Sequence, residues 1–138
     1  MHLQSAPKED LSLCFSAGSL GGVVNALAVW IFGVLGIAQA FGVSIAPELT
    51  PPFLYSKIAW GGIWGVIFLI PIMKNSPFIR GFIFSLAPTL VQLFVVFPVK
   101  IGKGMMGLDL GALTPVLVII YNAFWGIAAA YWLKATSD

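Results

Sequence analysis

Four stretches of this chain contain no charged residue: Leu11 to Pro47, Ile58 to Met73, Gly81 to Val99, and Leu110 to Leu133. They run for 37, 16, 19 and 24 residues. A helix crosses a hydrocarbon core with about 20 apolar residues, each rising 1.5 Å. The spacing therefore predicts four crossings. The rest of the chain agrees. Hydrophobic residues make up 59% and charged ones 9%, against roughly 25% charged in a soluble domain. Seven Lys/Arg and five Asp/Glu cannot cover the surface of so small a globule in water. Disorder is excluded too, since it needs low hydrophobicity. A net charge of +2, thinly spread, gives no basic stripe, so nucleic acid is not an expected partner.

The expected class is an all-α integral membrane four-helix bundle. Helices are expected at about 12–40, 52–72, 78–97 and 114–134, with polar tails over 1–11 and 135–138. A helix satisfies its own backbone hydrogen bonds in lipid, and these runs do not alternate as barrel strands would. Residues 42–47, Gly-Val-Ser-Ile-Ala-Pro, read as loop. Helix 2 reaches spanning length only if it starts near Pro52 and takes in Lys57 about a turn inside, where a lysine can snorkel to the interface. The first run does not read as a signal peptide, because it is too long and Glu9 and Asp10 stand where a basic region belongs. With four crossings, Lys8, Lys74, Arg80 and Lys134 fall on one side and Lys57, Lys100 and Lys103 on the other. Four against three places both termini on the cytoplasmic side.

The two halves resemble each other. Ser19-Leu20-Gly21-Gly22 matches Ser85-Leu86-Ala87-Pro88, with Leu27 on Leu93 and Val29 on Val95, at an offset of 66. Leu49-Thr50-Pro51 matches Leu113-Thr114-Pro115, with Ala59, Gly62 and Ile63 on Ala123, Gly126 and Ile127, at an offset of 64. The expectation is two tandem duplicated helical hairpins, related by a pseudo-twofold axis along the membrane normal.

Helices in lipid associate through small residues and interhelical hydrogen bonds. Gly18 and Gly22 in helix 1, Gly61 and Gly65 in helix 2, Gly81 with Ser85 and Thr89 in helix 3, and Gly126 in helix 4 supply small faces at a spacing of four. Pro88 should kink helix 3 and free the Phe84 carbonyl, which Ser85 or Thr89 can serve. Asn25, Gln92 and Asn122 are the polar amides at membrane depth. They read as interhelical glue, or as a polar site that holds a substrate. Lys57 reads as an interfacial lysine, or as a contact for an anion or lipid headgroup. Trp60 and Trp64, four apart, read as packing and interfacial anchors, or as the wall of a pigment or lipid groove.

Catalytic chemistry finds little purchase. Cys14 is the only cysteine and reads as an apolar filler; His2 is the only histidine and lies in the tail. No helix carries a carboxylate pair for proton transfer or a ligand set for metal or haem, so no cofactor and no enzyme are expected. The Gly-rich loop of residues 99–113, VKIGKGMMGLDLGAL, fails the phosphate-loop spacing and reads as a flexible or re-entrant turn. If that loop gates, alanine at Gly104 and Gly107 should impair activity without loss of folded protein.

The stretch Arg80-Gly81 … Ser85-Leu86-Ala87-Pro88-Thr89-Leu90-Val91-Gln92-Leu93-Phe94 … Phe97-Pro98, with Gly107-Leu108 and Leu113-Thr114-Pro115, resembles the YagU-type bacterial inner-membrane proteins. The resemblance covers under half the chain. It implies a small multi-pass protein of the bacterial inner membrane. The expected role is a non-catalytic subunit, scaffold or assembly factor that associates with itself or with other membrane proteins. The alternative is an oligomeric small-solute transporter or channel with its polar site at the bundle axis.

Overall fold

The computed structural model describes residues 9–137; His2, Lys8 and Asp138 lie outside the described residues. Among the described residues five α-helices follow in order: α1 (Leu11–Val34), α2 (Ile37–Ala40), α3 (Pro51–Gly65), α4 (Pro77–Val91) and α5 (Thr114–Ser137). A 3₁₀ turn, Val66–Leu69, extends α3, and a π-helical stretch, Gln92–Lys100, extends α4. A further 3₁₀ segment, Met105–Leu110, leads into α5. No strand occurs among the described residues. Among the described residues four segments are long and apolar enough to cross a membrane: Leu11–Val34, Pro51–Leu69, Pro77–Lys100 and Thr114–Ser137. The protein is an all-α, multi-pass, integral membrane four-helix bundle.

Local chemistry sets the helix ends. The Asp10 carboxylate accepts from the Leu13 N–H at 2.8 Å and caps α1. The Thr50 hydroxyl accepts from the Phe53 N–H at 3.3 Å, and Pro51 follows at the first helical position. Pro77 likewise stands at the first position of α4, where Ser76 before it makes no side-chain cap. Helix 1 stops at Val34 rather than near residue 40, because Gly36 turns left-handed at φ 79°. The single turn α2 then folds back and buries Ala38 and Val43. The second helix starts one residue earlier than expected, at Pro51, and its 3₁₀ extension ends at Leu69, so Pro71 lies beyond it. The third runs on to Lys100 because its last two turns widen to i→i+5 bonding. Pro88 does not end α4. The Thr89 hydroxyl donates to the Ser85 carbonyl at 2.8 Å and that of Ser85 to the Phe82 carbonyl at 2.6 Å, so neither serves Phe84 as expected. The fourth continues past residue 134 to Ser137.

The helices pack in the order α3–α1–α5–α4, with α1 seated on α3 and α5, and α5 seated on α1 and α4. Half of the apolar window of each central span is buried, against 22% for the α3 span and 28% for the α4 span. Glycine makes the two outer seams. A Cβ on Gly18 would fall on the Gly61 carbonyl oxygen, one on Gly22 on the Lys57 carbonyl, and one on Gly65 on the Cys14 carbonyl. Across the other seam, Gly81 and Gly126 press on each other's carbonyl oxygens. Such backbone approach is what holds helices together where lipid is as apolar as leucine.

Cys14 is fully buried in the core at the end near the termini, with Phe68, Phe84 and Trp125. At the opposite end two connections join: the Ser44 N–H donates to the Leu110 carbonyl at 2.9 Å, and Gly111 lies against Gly42. The loop of residues 99–113 is a built turn rather than a slack one. Met106 and Gly107 are consecutive left-handed residues at φ 58° and 68°, Gly104 stands at φ 84°, and Gly107 packs on Phe97 and Thr114. Alanine at Gly104 and Gly107 would strain this turn directly, so it is no clean test of gating.

Candidate functional site: an open cleft between α3 and α4

The outer helices α3 and α4 do not close on one another. Between them lie two adjoining cavities of about 420 Å³ each, both lined by Lys57, Gln92 and Asn122. Each is within the roughly 300–1,000 Å³ range of small-molecule sites. The cavity nearer the α2–α3 loop is walled by Asn25, Phe53, Tyr121 and residues 44–47. The other runs along Trp60, Trp64, Pro88, Trp125 and Lys100.

The three amides expected from the sequence converge here. The Asn122 amide donates to the Thr89 hydroxyl at 3.0 Å and to the Gln92 side-chain oxygen at 3.2 Å. The Asn25 amide donates to the Tyr121 carbonyl at 2.7 Å. These bonds tie α5 to α4 and α1 to α5, so the amides both join helices and line the cleft. Tyr121, 4% exposed, stands among them with its hydroxyl unpartnered and the Phe32 ring edge-on at 5.2 Å. Gln92 and Lys100 bracket the π-helical stretch, a widened geometry that recurs at functional sites.

Lys57 lies in the seventh position of α3, about 9 Å along the helix from its start at 1.5 Å per residue. Its ammonium lies 5.6 Å from the Phe53 ring centroid, and that of Lys100 lies 6.0 Å from the Trp60 centroid. Among the described residues no carboxylate lines either cavity, and neither lysine forms an ion pair.

The charge at the other end of the bundle is arranged differently. Arg80, 1% exposed, is not a loop charge: it lies in the first turn of α4 and points into the core. Its two terminal nitrogens meet the Glu9 carboxylate at 3.0 Å each, as a fork on a fork. One of them also donates to the carbonyls of Phe68 at 3.0 Å and Ile70 at 3.2 Å, which the end of the α3 span leaves without helical partners. The guanidinium lies 5.2 Å from the Phe68 ring centroid and 5.6 Å from that of Phe84. Lys74 adds a longer contact to Glu9 at 3.6 Å. Arg80 therefore leaves the count of loop charges on which the orientation was read.

The small residues singled out for packing, Gly18, Gly22, Gly61, Gly65 and Gly126, all sit in helix seams. Trp125 carries a role that sequence reasoning missed. Its indole N–H reaches the carbonyls of Gly18 at 3.0 Å and Gly61 at 3.3 Å, locking α5 to α1 and α3, while its ring closes the floor of the cleft. The Arg80–Glu9 pair was missed as well. The available signal was the expected helix over 78–97 itself, whose first turn already carries Arg80. The described residues hold no group of three His, Cys, Asp or Glu able to bind a metal. Among family models, curated proteins and solved structures, none matches this chain.

Proposed function

We propose that the protein is a small-solute carrier of the membrane, with its binding site in the α3/α4 cleft. One observation carries this reading over the non-catalytic subunit that the sequence first suggested: Asn25, Gln92 and Asn122, scattered over 98 residues, line one cleft together with Lys57. Polar groups at membrane depth that face a cavity mark solute pathways. The bacterial inner membrane remains the expected setting, as the YagU-type resemblance implies; with Arg80 set aside, the loop cations stand three against three and no longer favour either orientation. Duplication is part of the same reading. Both Leu-Thr-Pro tripeptides open a helix, and each hairpin closes on a glycine seam. The halves differ where the cleft lies, since α1 packs on α5 while α3 stands off from α4.

The test is reconstitution. Liposomes holding the protein should take up solute, and Asn122→Leu should abolish uptake while the protein stays folded. Uptake equal to that of empty liposomes across amino acids, sugars, organic anions and amphiphiles would end the reading. The second reading, a scaffold or assembly subunit, draws on the poorly covered outer helices, which leave room for a partner. A stoichiometric complex recovered in mild detergent, with no transport, would favour it.

A further inference from the structure

Lys57 and Lys100 are two cations with no carboxylate partner among the described residues, on the walls of one cavity. A cation held within a span ordinarily pairs with another charged group or with backbone carbonyls. Below them the cavity turns apolar, along Trp60, Trp64, Pro88 and Trp125. The flanking helices α3 and α4 are the two least covered spans, so the cleft faces the lipid sideways. Charge at the mouth, aromatic and aliphatic wall beneath, and a lateral opening match one chemistry: an anionic head with a hydrocarbon tail. We propose that the cleft binds a phospholipid of negatively charged headgroup, its phosphate between Lys57 and Lys100 and one acyl chain against Trp60 and Trp64. This rests on the cleft being the ligand site, and it names an anionic amphiphile as the ligand class. It does not depend on the ligand being moved.

The experiment uses the full chain in neutral detergent and the fluorescence of its own tryptophans. Phosphatidylglycerol and phosphatidylcholine, brominated at the same acyl carbons, are titrated in parallel. Phosphatidylglycerol should quench at an about thirtyfold lower mole fraction, the scale two lysines near a headgroup produce at about 1 kcal/mol each. Lys57→Gln with Lys100→Gln should bring it to the phosphatidylcholine curve, and Lys57→Arg with Lys100→Arg should keep the preference. Trp60→Phe with Trp64→Phe should remove most of the selective quenching and place the chain in the cleft. Identical curves for the two lipids overturn the proposal, as does a preference that survives loss of both lysines. Displacement of the lipid by millimolar glycerol 3-phosphate would assign the site to a soluble anion and overturn it too. The transport reading fails separately: selective binding without movement of fluorescent phosphatidylglycerol between leaflets sinks the carrier and leaves the lipid site standing.

Discussion

Arg80 and Lys57 are both cations on membrane-spanning helices, and the bundle treats them in opposite ways. Arg80 is enclosed by a carboxylate, two carbonyls and two aromatic rings. Lys57 faces an open cleft with one ring beside it and no carboxylate. The first arrangement pairs its charge, leaving only the Nε–H without a partner, and joins the start of α4 to the chain ahead of α1 and to the end of the α3 span. The second is incomplete, and an unsatisfied charge in a cavity is a reason for a ligand to enter. Burial alone does not separate a structural charge from a binding one; the partner does.

The contrast can be broken from the structural side first. Glu9→Leu leaves Arg80 buried and uncompensated, and should cost about 3–5 kcal/mol of stability, read as a fall in the unfolding midpoint in detergent. Replacing both together, Glu9→Leu with Arg80→Met, should recover much of that loss, because no bare charge remains. A Glu9→Leu protein as stable as the parent would mean the pair does not form. Next comes the seam: Gly126→Ala forces a methyl group onto the Gly81 carbonyl and should cost about 1–3 kcal/mol by the same measurement. Trp125→Phe removes the indole donor to Gly18 and Gly61 and should cost about 1 kcal/mol. Asn122→Leu should cost about 1 kcal/mol, two interhelical bonds at an average of about 0.6 kcal/mol each, yet stop transport. Lys57→Gln sharpens the comparison most. Its stability should stay within about 0.5 kcal/mol of the parent, so a large loss would show that Lys57 is structural after all.

Much of the fold was legible because membrane insertion depends on local sums. Four uncharged runs, two Leu-Thr-Pro starts and glycines at a spacing of four are each visible within some 20 residues. The candidate site was legible only as a set of names. Asn25, Gln92 and Asn122 stood out as polar residues in oil, but nothing in their spacing told that they would share a cavity with Tyr121 and Lys57. Arg80 misled for a related reason. It follows Lys74 and Pro77 closely in sequence, so that proximity marked it as a surface charge, whereas it lies in the first turn of α4 and its carboxylate lies 71 positions earlier.

The amino-acid sequence by itself determined the medium and the crossings, since the transfer of a helix into hydrocarbon is decided residue by residue along one segment. The tertiary structure decided which cation found its anion, which tryptophan became a lock, and that two outer helices would stand apart. Those outcomes follow from contacts between segments far apart in the chain, set by how closely glycine lets backbones approach, and no single stretch contains them.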